Sequence, residues 1–365
     1  KKRIGVITIP TFYIDFQAHS RGEEDYRSTT RDTRRLVDEL MEEKVDGIII
    51  DLRNNGGGAL SEAVSLTGLF IKDGPVVQIR NNDGKTESNN DTDPGIVYTG
   101  PLAVLVNRFS ASASEIFAGA IQDYGRGTVV GEPTYGKGTV QSVIDLNRYT
   151  RGNDVTLGRL KLTMAQFFRV NGDSTQHRGI IPDIVFPTAE DNSNHGERAL
   201  KNALAWASIK ASDYKPFNRP IATIDDIKAR HEQRISSDSG FKYLLAQAKV
   251  RRSASDKKEV SLLRKDRKLE REAVETEQNE LLNRFRLSRG MKPVHETSLT
   301  DNEDDDNEAD EDIIEEIEMI EVRETASILV DLIAKRAERF TQQGDRQTLT
   351  ASVSGSSVHL SLIHI

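Results

Sequence analysis

Short β-branched runs alternate with stretches of helical period through residues 1–190, and this alternation predicts an α/β domain. Ile4–Pro10 predicts a strand. A helix within Arg27–Lys44 follows, with Leu36, Leu40 and Met41 on one face. Val45–Leu52 has the continuous apolar run of a strand buried on both faces. Beyond it come Asn54-Asn-Gly-Gly-Gly58, a helix near Ser61–Ile71 and a second buried strand at Leu102–Val106. After Phe109-Ser-Ala-Ser-Ala-Ser114 a helix is predicted to about Tyr124, then strands at Thr128–Val130, Thr139–Leu146 and Leu160–Val170.

From about Asn192 the sequence turns to charged, helix-period residues, with helices predicted at Glu197–Trp206 and Ser239–Leu245. Arg251–Phe285 mixes Leu262, Leu263, Leu281 and Leu282 with charge, which suits an extended surface helix or a helical hairpin. Asp301–Asp312 is too acidic to pack alone and predicts a solvated linker, after which Ile313–Phe340 resumes helical spacing. The expected division is a core at 1–190, a helical domain at 191–344 with an acidic linker near 301–312, and a disordered or artefactual tail at 345–365. Leu360-Ser-Leu-Ile-His-Ile365 reads as a translated sequencing-adaptor end, and the opening Lys1-Lys2, without Met, predicts a fragment of a longer protein.

Composition narrows the functional classes. Of 365 residues, 36% are hydrophobic and 30% charged, so part of the chain is strongly solvated. The net charge of −8 argues against a nucleic-acid binder, which needs a concentrated basic footprint. Local charge is polarised: Lys249–Arg271 holds ten Lys/Arg against four Asp/Glu, whereas Asp301–Glu324 holds fourteen Asp/Glu against one Arg. The absence of Cys removes thiolate catalysis and Cys-ligated metals, and no run approaches the roughly 18–20 apolar residues of a membrane span.

Gly131-Glu-Pro-Thr-Tyr-Gly136-Lys137-Gly138 nearly satisfies the phosphate-cradling G-x-x-x-x-G-K-[ST], but Gly138 stands where Ser/Thr would bind magnesium and a strand pattern follows instead of a helix. None of the seven histidines has a metal-ligand spacing. A His-based triad could assemble from distant positions; without one, and without Cys, a nucleophilic mechanism needs another base, and a desolvated lysine is available because burial disfavours its charge. Lys137, between two glycines, is that candidate, or else a surface turn lysine. The hydroxyl partner would come from Ser110, Ser112 or Ser114, although Ser112-Ala-Ser-Glu115 is equally a capping box. Gly56-Gly57-Gly58, at the end of a buried strand, either exposes N–H donors to a ligand or simply connects strand to helix.

Taken together, Asp51-Leu-Arg-Asn-Asn-Gly-Gly-Gly58, Ser110-Ala-Ser-Ala-Ser-Glu115 and Gly131-Glu-Pro-Thr-Tyr-Gly-Lys-Gly138 resemble the C-terminal processing peptidases, or tail-specific proteases, a family of serine peptidases. The resemblance covers about residues 4–185, including Gly172–Asp183, and the later arm is most similar to that of the large periplasmic members from Gram-negative bacteria. It implies a ClpP/crotonase-like α/β protease core with a helical C-terminal domain, and a PDZ domain expected before the Ile4 strand. By the same resemblance Ser112 is the nucleophile and Lys137 the general base, with the oxyanion held by the N–H groups of Ala113 and Gly58, Gly57 lying alongside. Gln141 would help orient the amine. In a strand it would share a face with Lys137, since their separation is even. Asp123, Glu115 and Thr134 receive supporting roles. Asp123 lies roughly 16 Å along an intact helix from Ser112 and is too far for direct partnership.

The implied reaction is cleavage of proteins with nonpolar C-termini, without metal or organic cofactor. A periplasmic location and a helical-repeat lipoprotein adaptor are implied by resemblance alone. The alternative from another class is a non-catalytic scaffold whose Ser112 caps a helix and whose helical arm binds partners. A P-loop nucleotide binder is a more distant reading.

Overall fold

The computed structural model describes residues 2–149, 156–188, 195–217, 222–293, 303–344 and 358–364. Apolar runs with no polar face occupy the centre of a parallel sheet, where water is excluded from both sides. Strand β1 (Lys2–Thr8) pairs with β2 (Gly47–Asp51), from Ile4 opposite Gly47 to Thr8 opposite Asp51. A hairpin of β3 (Gly74–Asn81) and β4 (Thr86–Asp91) belongs to a second, antiparallel sheet. The chain then returns to the first sheet as β5 (Leu102–Val106), beside β2, and β6 (Thr128–Gly131), beside β5. Strands β7 (Thr139–Asp145) and β8 (Arg159–Phe168) complete the antiparallel sheet in the order β4-β3-β8-β7. The two-residue β9 (Ile184–Val185) and β10 (Val358–His364) are the edges of the parallel sheet, whose order is β10-β1-β2-β5-β6-β9.

Four helices belong to this core: α1 (Phe16–Ser20), α2 (Thr29–Glu42), α3 (Leu60–Gly68) and α4 (Ala113–Asp123). The Ser28 hydroxyl caps α2, which buries Thr29, Thr33, Leu36, Val37 and Leu40. Met41, expected on that face, is 39% exposed, and Val37 takes the place in the apolar stripe. Phe70 and Phe117 meet edge to face at 5.9 Å inside the same core, each fully buried. Burial of a Phe of this kind stabilises the fold by about 1.5–3 kcal/mol.

Other expectations need correction. The β3–β4 hairpin was unforeseen, although Val76–Ile79 and the Asp83-Gly84 turn carry its signal. Glu197–Trp206 is not a helix: a single 3₁₀ turn at Glu197–Ala199 gives way to extended chain. Glu197 N–H donates to Tyr135 O, Leu200 and Leu204 stay exposed, and just beyond the stretch the extended chain pairs with the core, Ser174 N–H donating to Ala207 O and Ile209 N–H to Gly172 O. In the expected tail, Val358–His364 pairs in parallel with β1, because alternating Val358, Leu360 and Leu362 have a strand's period. Residues 345–357 of that tail lie outside the described residues, as does the expected boundary at 190/191.

The chain divides into two compact units, one of residues 1–185, 193–221 and 329–365, the other of 186–192 and 222–328. The second unit contains α5 (Ala222–Ser237), α6 (Ser239–Ser255), α7 (Arg264–Ser288) and most of α8 (Glu303–Gly344). Helix α6 covers the expected Ser239–Leu245 helix and runs on into the Arg251–Phe285 stretch, most of whose remainder is α7, so the two helices divide that stretch between them. The core of this unit includes stacked Tyr243 and Phe285, and His231 stacked on Phe186, with His231 and Arg234 both bound to Glu324. The acidic stretch expected as a linker is helical from Glu303, since acidic residues at a helix N-terminus oppose the positive end of its dipole. No described helix is long and apolar enough to cross a membrane.

Gly131 ends β6 at φ +117°, and a Cβ there would stand 1.9 Å from the Val106 carbonyl oxygen. Gly131→Ala is expected to lower unfolding free energy by about 2 kcal/mol or more in a urea titration. An unchanged midpoint would show that β5 and β6 separate freely at this point.

Candidate active site

Three neighbouring parallel strands, β2, β5 and β6, each end in a loop that carries one part of the site. The carboxyl edge of a parallel sheet is where α/β folds bind ligands. After β2 comes the glycine loop, after β5 the serine turn, and after β6 the lysine loop. Side chains lace the first two together. The Asn55 carboxamide donates to Ile9 O and accepts from Gly57 N–H, both at 2.8 Å, while Asn55 O accepts from Ala111 N–H and the Ser114 hydroxyl. Tyr135 N–H, donating to Ser110 O at 3.0 Å, ties the lysine loop to the serine turn.

The structure separates the three candidate serines. Ser110 and Ser114 are fully buried, and their hydroxyls donate to Leu52 O and Asn55 O at 2.8 and 2.9 Å. Ser112 is half-buried and lines a pocket of about 350 Å³. Its backbone has φ +58° and ψ −110°, a conformation that costs a non-glycine residue about 1–3 kcal/mol. This strained residue forms the sharp turn between β5 and α4. Gly57, at φ +103°, abuts this turn: a Cβ on it would lie 2.9 Å from the Ser112 Cβ. The N–H groups of Gly58 and of Ala113, the first residue of α4, have no acceptor among the described residues, and both residues line the pocket.

Lys137 lines the same pocket from the loop before β7. The glycines on either side let segment 174–179 pack against it. A Cβ at Gly136 would stand 2.9 Å from the His177 carbonyl carbon, and one at Gly138 2.8 Å from Gln176 N. Gly138 N–H donates to Gln176 Oε1 at 2.8 Å, and the Thr175 hydroxyl to Lys137 O at 3.3 Å. Burial holds the Lys137 ammonium below the ordinary lysine range, Lys161 adds to that shift, and Glu197 and Glu115 oppose it.

Glu115 joins the two halves. Its Oε2 accepts from Ser112 N–H at 2.8 Å and Lys137 N–H at 3.0 Å, and its Oε1 accepts from the Thr134 hydroxyl at 2.6 Å and Gly136 N–H at 2.7 Å. Complete burial pushes this carboxyl up to about 7, although its four donors favour the ion. Thr134 in turn accepts from Ile180 N–H at 2.7 Å.

Gln141 and Asp123 are engaged by partners outside the pocket. Lys137 precedes β7, and the β7–β8 register shifts at Val140/Gln141, so even spacing does not relate Lys137 to Gln141. Gln141 lines the pocket, but its amide donates to the Thr163 hydroxyl at 3.4 Å. Asp123, at the far end of α4, pairs with Arg169 at 2.5 Å and accepts from Asn171 at 3.0 Å. Lys161, Phe167 and Asn55 were not anticipated. Asn55 stands inside the glycine motif and was readable as an Asx-type turn residue, whereas the position of Lys161 depends on β7–β8 pairing. No described histidine lines the pocket, and no group of described residues has a metal-binding arrangement.

Residues 3–186 match peptidase family S41, and residues 191–334 match the C-terminal domain of tail specific protease. The chain is 40% identical over 323 residues to the tail-specific protease of Haemophilus influenzae, covering 87% of this chain and 44% of that protein. It is 38% identical over 151 residues to the carboxy-terminal-processing protease of Bartonella bacilliformis, covering 41% of this chain and 33% of that protein. Among solved structures, the photosystem II D1 C-terminal processing protease is 31% identical with a TM-score of 0.40, over 49% of this chain and 41% of that one. The chain therefore spans less than half the length of these curated relatives. With an α/β sheet core followed by a helical C-terminal region, and with the first of these matched along its length, the chain belongs to the serine peptidase family S41.

Proposed function

We propose that this chain carries the centre of a serine endopeptidase that acts on proteins with apolar C-termini, with Ser112 as nucleophile and Lys137 as its general base. The observation that carries this reading is the convergence, in one pocket, of a serine on a strained turn, a lysine whose charge burial disfavours, and two N–H donors with no acceptor among the described residues. Leu60, Ile116, Val140 and Phe167 give the pocket an apolar wall, which supports an apolar residue beside the scissile bond. The periplasmic setting and the helical-repeat lipoprotein adaptor belong to the same proposal and rest on family resemblance.

The chemistry is acyl transfer. Neutral Lys137 Nζ takes the hydroxyl proton as Ser112 Oγ attacks the scissile carbonyl carbon, and the carbonyl π pair moves onto oxygen. The N–H groups of Gly58 and Ala113 hold that oxyanion, a role worth about 2.7–4 kcal/mol per donor in comparable sites. Protonated Lys137 then gives its proton to the departing nitrogen as the C–N bond breaks. Water, deprotonated by Lys137, opens the Ser112 ester, releases the new carboxyl terminus and restores both side chains.

With an unfolded reporter ending in apolar residues, Ser112→Ala is expected to abolish cleavage while circular dichroism stays unchanged. Equal cleavage by both proteins would remove Ser112 from the nucleophile role. Ser112→Gly should also be inactive yet more stable by about 1 kcal/mol, since relief of strain exceeds the entropic cost of glycine.

Lys137→Arg should lower kcat by at least about 100-fold, because a guanidinium does not give up its proton. Activity within tenfold of the parent would exclude lysine as base.

Glu115→Gln sets an amide NH₂ against two N–H donors or against a hydroxyl and an N–H, and should cost about 1–3 kcal/mol of stability with a matching fall in kcat. The parent's kcat/KM should rise with pH through about 7, where Glu115 loses its proton, and onward as Lys137 does. In the Gln variant the lower limb should be absent and the upper limb retained; two unchanged limbs would exclude Glu115.

A further inference from the structure

Lys161 stands across the pocket from the residues just described. It projects from β8, opposite Val143 in the β7–β8 ladder, and lines the same cavity as Ser112 and Lys137. The pocket thus holds two amines, and no carboxylate lines it among the described residues. Nor is any described carboxylate within ion-pair distance of Lys161. A cation on an exposed strand gains nothing for stability by facing another cation, since like charges on neighbouring positions repel.

The charges acting on Lys137 come from three directions. From α4, Glu115 has its carboxylate engaged by four donors of the serine turn and lysine loop. From the segment after residue 194, Glu197 accepts from Gln176 at 3.3 Å. Both carboxylates favour a protonated Lys137, and Lys161, from β8, is the charge that opposes them. Thr139 and Gln141, from β7, are neutral.

We propose that Lys161 is a positioning residue of the proposed dyad: its ammonium acts on Lys137 across the pocket and holds that amine ready to accept the serine proton. The inference rests on the dyad reading. It differs from that reading in giving a task to a residue that need touch neither substrate nor Ser112. Removing Lys161 leaves Glu115 and Glu197 unopposed, so Lys137 keeps its proton to higher pH. The acid limb of activity then moves upward in pH while the plateau is unchanged.

The test is the pH profile of kcat/KM for cleavage of an uncharged peptide reporter by the chain, Lys161→Gln and Lys161→Arg. In parallel, the rate at which an amine-acylating reagent labels Lys137 is followed against pH by mass spectrometry. Lys161→Gln should move both midpoints up by about half a pH unit, which is about threefold in kcat/KM well down the acid limb. Lys161→Arg should restore the parent profile. Added salt should narrow the gap between the parent's midpoint and that of Lys161→Gln, because screening weakens the interaction by which the two differ. Superimposable profiles would overturn the proposal. So would an effect confined to KM that depends on the charge of the peptide, which would make Lys161 a substrate contact. The labelling curve separates this inference from the one beneath it: if Ser112→Ala still cleaves but Lys161→Gln shifts Lys137, the dyad falls and the coupling stands, whereas an unmoved labelling curve removes the coupling itself.

Discussion

A carboxylate taken completely out of water, with no ion-pair partner among the described residues, is tolerated only if hydrogen bonds replace its hydration. Glu115 meets that condition with four donors, and those donors come from both the serine turn and the lysine loop. The geometry of the pocket follows from this one residue. Ser112 keeps its strained backbone because its N–H is anchored, and Lys137 enters the pocket because its N–H and that of Gly136 are held to the same side chain. The bonds that compensate for Glu115's burial are therefore also the bonds that place the proposed nucleophile and base.

The sheet order supplies what Glu115 cannot. Strands β2, β5 and β6 lie side by side, so loops separated by dozens of residues in sequence emerge next to one another. Asn55 and Ser110 then fix the glycine and serine loops to each other and to the backbone of the strands beneath. The antiparallel sheet contributes the opposite wall of the pocket, with Val140 from β7 and Lys161 and Phe167 from β8. A rigid floor and a second sheet meet over Ser112, which is why a half-exposed serine stands in an otherwise buried neighbourhood.

Much of this was legible in the chain because the informative features are local. Val45–Leu52 and Leu102–Val106 announce buried strands by having no polar face, and the Ser112/Glu115 spacing announces a helix start. Which of three serines faces the pocket came from the family resemblance and not from local pattern, since Ser110 and Ser114 differ from Ser112 in the carbonyls their hydroxyls reach, and those belong to residues more than fifty positions away. Lys161 was hidden for a similar reason: a bulge at Val140/Gln141 sets the β7–β8 register, and a shift of one residue would turn Lys161 to the other face. Glu197–Trp206 misled because its helical spacing was real but Leu200 and Leu204 have no core to pack on, and the chain just beyond, at Ala207 and Ile209, is drawn into extended pairing with residues 172–174. The even spacing of Lys137 and Gln141 carried no weight once the strand was seen to begin after the lysine.

The packing of segment 172–179 against the glycines around Lys137 bears on how the protein is made. Residues that hold the lysine loop come later in the chain than the loop itself: Gln176 is 38 positions beyond Gly138, and Glu197, whose N–H donates to Tyr135 O, is later still. Segment 172–174 is in turn paired with residues 207–209. A chain emerging from the ribosome therefore presents Lys137 before the residues of segment 172–179 that pack on its loop exist. The contacts that hold the lysine loop are therefore complete only when the chain has been made as far as residues 207–209.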